Sequence, residues 1–121
     1  MASVANQGRV NILSLDHDKR TVTETCTLRV GTAANQFVID RVAEVEDPAA
    51  NTTITVPDGL YIGQTVMIVT SSNDDSKTVT VSVTHHPTSD PETGTLSTVD
   101  QYVLLLWTGT EWATLGGSWT T

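Results

Sequence analysis

The residues of this chain best equipped for chemistry are the adjacent His85 and His86, the Asp16-His17-Asp18 and Asn73-Asp74-Asp75 runs, Glu24 and the single Cys26. Histidine is the commonest metal ligand and acid–base group. Neighbouring residues on an extended chain point to opposite faces, however, so His85 and His86 are poorly placed to share one metal and read as part of a surface loop. Asp16 and Asp18 share one side of an extended chain, and Asn73 to Asp75 offers oxygen ligands. Neither run carries the glycine and the distant bidentate glutamate of a calcium loop, and both read as solvated turns. Cys26 falls among the apolar positions of its segment, which suits a core thiol better than a nucleophile. The sequence shows no serine or cysteine motif with a matched base, no phosphate-cradling loop ahead of a helix and no basic groove. The expectation is a protein without a reaction: no catalytic residue, no cofactor and no metal.

Glu24 is the most informative of these groups. In "RTVTETCTLRV", Val22, Cys26, Leu28 and Val30 share one face at period two, while Thr21, Thr23, Thr25, Thr27 and Arg29 share the other. That is the pattern of one half-buried strand, with Glu24 as the misfit on its apolar face. A carboxylate there costs stability unless it is paired. Glu24 therefore marks a sheet edge, or an interface at which a cation such as Arg29 or Arg41 meets it.

The elements that must position these residues are all of β type. Val10 to Leu15 is short and apolar and stops at the turn signal "DHDK". Phe37 to Ile39 continues the β signal. "DRVAEVEDPAAN" reads either as a helical turn through Val42 and Val45 or as a strand through Ala43 and Val45, and we take the strand, closed by Pro48. "TTITV" alternates and ends at "PDG", where Pro57 presets a turn and Gly59 can take a left-handed conformation. "QTVMIVT" is apolar on both faces, as a strand covered on both sides should be. "SSNDDSK" has the length of a loop that joins adjacent antiparallel strands. "TVTVSVT" puts Val79, Val81 and Val83 on one face, and "HHPTSDPETG" is a solvent loop. "WTGTEW" centres a two-residue hairpin on Gly109 and Thr110, with Trp107 opposite Trp112 as a structural clamp. These signals predict an all-β chain: a single antiparallel β-sandwich or closed, jelly-roll-like barrel over residues 10–121, preceded by a short extended arm at 1–9.

Composition narrows the function classes. At 121 residues the chain suits one domain, and six basic against fourteen acidic residues give a net charge of −8. That charge repels a phosphate backbone, so nucleic acid is not an expected partner. One cysteine cannot form an internal disulfide, and "MASVANQGRVN" has neither the basic nor the apolar region of a secretion signal, which together predict cytosolic synthesis. The longest apolar run, Tyr102 to Trp107, falls far short of the roughly twenty residues a membrane helix needs, so no membrane partner is expected.

The series "TITVPDG", "GQTVMIV", "KTVTVSV" and "YVLLLWTGTEW", between Thr52 and Thr121, resembles β-modules of tailed-bacteriophage virion proteins, among them capsid decoration (cement) proteins and parts of tail fibres. Small size, acidity and the lack of a periodic shaft favour the decoration protein. The resemblance implies a non-enzymatic structural protein, made in the host cytoplasm and located on the capsid surface of the virion. Its partners would be the major capsid protein and itself, as a homotrimer or homodimer. A ligand that binds only the assembled shell stabilises that shell by its binding free energy. The residues expected to meet the capsid or a partner are Val4, Asn6, Gln7 and Arg9 of the arm, together with Glu24. The alternative is a phage tail or fibre accessory module binding a carbohydrate or receptor through exposed aromatic side chains.

Overall fold

The computed structural model describes residues 19–121, which form nine β-strands and, among the described residues, no helix. The arm at 1–9, the Val10–Leu15 segment and Asp16-His17-Asp18 lie outside the described residues. Strands β1 (Lys19–Val22), β3 (Val42–Glu46), β5 (Thr65–Ser72), β8 (Tyr102–Trp107) and β9 (Trp112–Gly117) form a five-stranded sheet in the order β1-β3-β5-β8-β9. Strands β2 (Cys26–Thr27), β4 (Thr52–Val56), β6 (Val79–Val83) and β7 (Glu92–Thr95) form a four-stranded sheet in the order β2-β4-β6-β7.

Period-two alternation decides which side chains are buried. In β4, Thr52, Ile54 and Val56 point inward, and in β6 Val79, Val81 and Val83 do, with hydroxyl residues between them facing out. Ala43, Val45, Val66, Ile68, Val103 and Leu105 answer them from the five-stranded sheet, and the two inner faces meet in one core. Each such Val, Leu or Ile contributes about 1.5–3 kcal/mol by leaving water.

The sheets are mixed, which corrects the expectation of an antiparallel sandwich or closed jelly-roll barrel. From β1 to β6 the chain alternates between the two sheets. Every second strand thus returns to the same sheet running the same way, so β1-β3-β5 and β2-β4-β6 pair in parallel. Antiparallel pairing begins only with β6-β7, β5-β8 and β8-β9. The result is a sandwich-like stack of two sheets with separate edges.

Three local expectations change with it. Residues 73–78 do not join neighbouring antiparallel strands; they carry the chain from β5 across to β6 in the other sheet. The segment 21–30 is not one strand, because residues 23–25 make the first crossing, between β1 and β2. Glu24, the misfit of the alternation, sits in that crossing and is exposed, so it needs no buried partner. Of Phe37 to Ile39, only Ile39 pairs, in an isolated bridge with Val30, and Phe37 is 73% exposed.

Candidate interaction surfaces

The alternating path sorts the connections into two ends. Residues 23–25, 47–51, 73–78 and 96–101 make a short-turn end, and residues 28–41, 57–64, 84–91 and 108–111 make the opposite, long-loop end.

The long-loop end is anchored by a carboxylate that the sequence patterns did not single out. Asp40 is fully buried and accepts hydrogen bonds from Arg29 Nη2 at 2.7 Å, the Arg29 backbone N–H at 2.8 Å and Arg20 Nη1 at 3.2 Å. Burial alone would raise its carboxyl, but the Arg29 side chain and N–H, with Arg20, hold it below the usual carboxylate range. The Asp40 N–H returns a bond to the Arg29 carbonyl at 2.7 Å. Arg29 is thus committed to Asp40 rather than to Glu24. The lock closes the base of an arm that runs out through Gly31 (φ +88°), turns at Thr32–Asn35 and comes back through Phe37. Buried Gln64 ties the neighbouring loop to this arm: its Oε1 accepts from the Leu60 N–H and its Nε2 donates to the Val30 carbonyl. The arm itself frames an open cleft of about 470 Å³ lined by Arg29, Val30, Gly31, Thr32, Asn35 and Val38.

These fixed loops hold out the two most exposed large apolar side chains among the described residues, Phe37 at 73% and Ile62 at 77%, with Tyr61 at 42%. Ile62 leans on the β8-β9 hairpin, where a Cβ on Gly109 would come 3.1 Å from its Cγ1. Asp58, Asp90 and Glu111 also lie at this end, and the short-turn end is the more acidic and the less apolar of the two. It carries Glu24, Asp47, Asp74, Asp75 and Asp100 against Lys77, with Val99 as its exposed large apolar group. Glu24 and Asp47 line an open cleft there of about 540 Å³.

The histidines part as adjacent residues should. His85 Nδ1 meets Asp58 Oδ1 at 2.5 Å, and this carboxylate raises its pKa above the ordinary value. His86 Nε2 meets Thr114 Oγ1 at 2.8 Å. Among the described residues no group of three His, Cys, Asp or Glu side chains could hold a metal ion. Asn73 caps its own turn, donating to the carbonyls of Lys77 and Ser97 and accepting from the Lys77 N–H, while the Asp74 N–H donates to Asp47 Oδ1. Cys26 is half-buried, and burial raises its thiol pKa, which suits a packing role.

Tryptophans close one side of the sandwich. Trp107 is 6% exposed and Trp112 fully buried, and the Trp112 indole N–H donates to the Pro57 carbonyl at 2.7 Å. Neither ring presents a face on which a sugar could stack. The Trp112 backbone N–H bonds the His85 carbonyl, linking β9 to the loop after β6, and Thr95 and Thr120 exchange both backbone bonds. Trp119 lies so close to the β7 backbone that a Cβ on Gly94 would come 2.6 Å from its ring.

Of the expected contact residues, Glu24 lies at the acidic end, and Val4, Asn6, Gln7 and Arg9 lie outside the described residues. Phe37 read only as part of a β signal, and Tyr61 and Ile62 were missed, because a short apolar group in a loop has no periodicity to show which way it faces. Compared with known proteins, the chain matches no family model and no curated sequence.

Proposed function

We propose that the chain is a non-enzymatic virion structural module that decorates the outer surface of a bacteriophage capsid and stabilises the assembled shell. The observation that supports this reading best is the asymmetry of the two ends. Phe37, Tyr61 and Ile62 stand exposed on loops that Asp40 and Gln64 hold rigid, opposite an end rich in carboxylates. Apolar anchors on a preorganised surface favour a protein partner, because little ordering entropy is lost on docking. In this reading the long-loop end meets the major capsid protein and the acidic end faces solvent.

The test is co-sedimentation of the purified chain with expanded capsids, beside mass spectrometry of purified virions. The wild type should pellet with shells. Phe37→Asp and Ile62→Asp should bind at least about 30-fold more weakly, as central apolar anchors do, with an unchanged thermal midpoint. A chain that is present in virions but does not pellet with tail-less shells, and whose tryptophan fluorescence responds to a glycan, belongs to the tail or fibre class instead; a chain absent from virions overturns both readings.

A further inference from the structure

The four-stranded sheet leaves a gap in its inner face at the β7 edge. Opposite buried Val81, β7 places Gly94, which has no side chain to give the core. The gap is filled from outside the sheet by Trp119, whose half-buried indole packs against the core beside Gly94. Trp119 belongs to none of the nine strands. It is carried by residues 118–121, which leave β9 in the five-stranded sheet and pair with β7 in the other. The Thr95 N–H donates to the Thr120 carbonyl at 2.8 Å, and the Thr120 N–H returns a bond at 3.0 Å. This bridge is antiparallel, so Trp119 falls opposite buried Leu96 and on the same side of the sheet. A segment that bonds a strand edge through its main chain and supplies a side chain the sheet lacks has the geometry of strand addition. We propose that the β7 edge is a binding site for an extended peptide segment bearing an aromatic side chain, and that residues 118–121 occupy it as an intramolecular latch.

Gly94 shows that the notch is built for a ring. It has no positive φ that would demand glycine. What a side chain there would meet is the indole alone, since a Cβ would come 2.6 Å from Trp119 Cε3 and 2.9 Å from its Cδ2. The edge of the His86 ring closes the notch, with centroids 6.3 Å apart. The bonds that hold the segment are main-chain bonds to Thr95 and Tyr102 and side-chain bonds from Gln101 and Ser118, with no ionisable group among them. The ligand class follows: backbone in extended form for affinity, one aromatic side chain for selectivity, and no required charge.

The latch is separable from the fold. Ser118, Thr120 and Thr121 are exposed, and Trp119 is the one residue of the segment that reaches the core. A few main-chain bonds at an exposed edge with a single apolar anchor open locally, at less cost than global unfolding. A segment tethered beside its own site competes at an effective concentration on the order of millimolar, so the closed latch masks the site from a free peptide. The site lies on the flank of the sandwich and is independent of the decoration reading, which concerns the long-loop end.

Two measurements on the full chain test it: amide hydrogen exchange, and titration with a fluorescein-labelled peptide of residues 116–121. In the wild type the Thr95 and Thr120 amides should exchange at least about 100-fold faster than the bonded amides of β6. Trp119→Ala should fold, and it should bind the peptide at least about 30-fold more tightly than the wild type, because its own segment no longer competes. The same peptide with alanine in place of tryptophan should not bind. Gly94→Ala should expel the indole, seen as a red shift of tryptophan emission while Trp107 and Trp112 stay buried, and should bind no peptide because the notch is filled. A Thr120 amide as slow as those of β6 overturns the proposal. So does a Trp119→Ala chain that fails to fold or binds the peptide no better than the wild type.

Discussion

Trp107 and Trp112 stand opposite each other across the β8-β9 hairpin, with ring centroids 5.4 Å apart and planes inclined at 58°. The register follows from the turn: Gly109 has φ +111°, and the Thr108 N–H bonds the Glu111 carbonyl. Trp107→Ala should cost about 3–5 kcal/mol, as large-to-small core changes do. Chemical denaturation checks this. A variant as stable as its parent would make Trp107 dispensable to the core.

Gly59 owes its identity to the same pair. A Cβ there would come 2.7 Å from Trp107 Cβ, and that atom is fixed to the β8 backbone and cannot swing away. Gly59→Ala should therefore destabilise by about 1–3 kcal/mol, the usual cost of overpacking, although alanine removes unfolded-state entropy. In the double variant, Trp107→Ala removes the ring atoms that also crowd this site but keeps its Cβ, so a mutant cycle should show partial relief rather than strict additivity.

Acid should unfold the chain through two carboxylates. Asp40 is held below its ordinary value, and Glu44 is held down to about 2 by the Lys19 and Ser71 bonds. Groups lowered by folding contribute in full above their unfolded values, near 4, and the contribution is lost as pH falls through the folded ones. Stability measured by denaturant titration should fall between about pH 4.5 and pH 2. Asp40→Asn should cost about 2–3 kcal/mol at neutral pH and flatten that slope, a moderate figure because Arg29 and Arg20 remain reachable by water.

His85 has the opposite sign. Its pKa is raised by Asp58, so the pair's contribution is complete below the ordinary histidine value, near 6.5, and is lost as pH rises through the raised one. An NMR titration should find His85 above the ordinary value, and Asp58→Asn should bring it back. A His85 that titrates normally beside an intact Asp58 would contradict the pair.

The strands and their buried faces were legible in the sequence to different degrees. Val79, Val81 and Val83 announced their face because strict alternation maps directly onto a pleat, and Ala43 with Val45 did so against a competing helical reading. Parallel pairing was not legible, since alternation reports which side of a strand is buried and says nothing of the direction of its neighbour. Glu24 was a true signal of a break in the alternation: the charge on the apolar face marked the end of a strand, where the chain crosses from β1 to β2. Asp40 was illegible because its partners Arg29 and Arg20 come from positions that only the fold brings together.

The alternating path also sets how far apart in the chain the native pairs lie, and so how the protein should fold. Val22 must find Val45, and Val45 must find Thr70, each across a strand of the other sheet, whereas Trp107 meets Trp112 across residues 108–111 alone. Loop closure favours the local pair, and a chain dominated by distant pairings folds in milliseconds to seconds rather than microseconds. Assembly should start at the C-terminal hairpin and proceed toward the N-terminus, one winding at a time. Conservative truncations in β8 and β9 should accordingly give high φ-values and those in β1 values near zero, and the reverse order would refute this sequence of events.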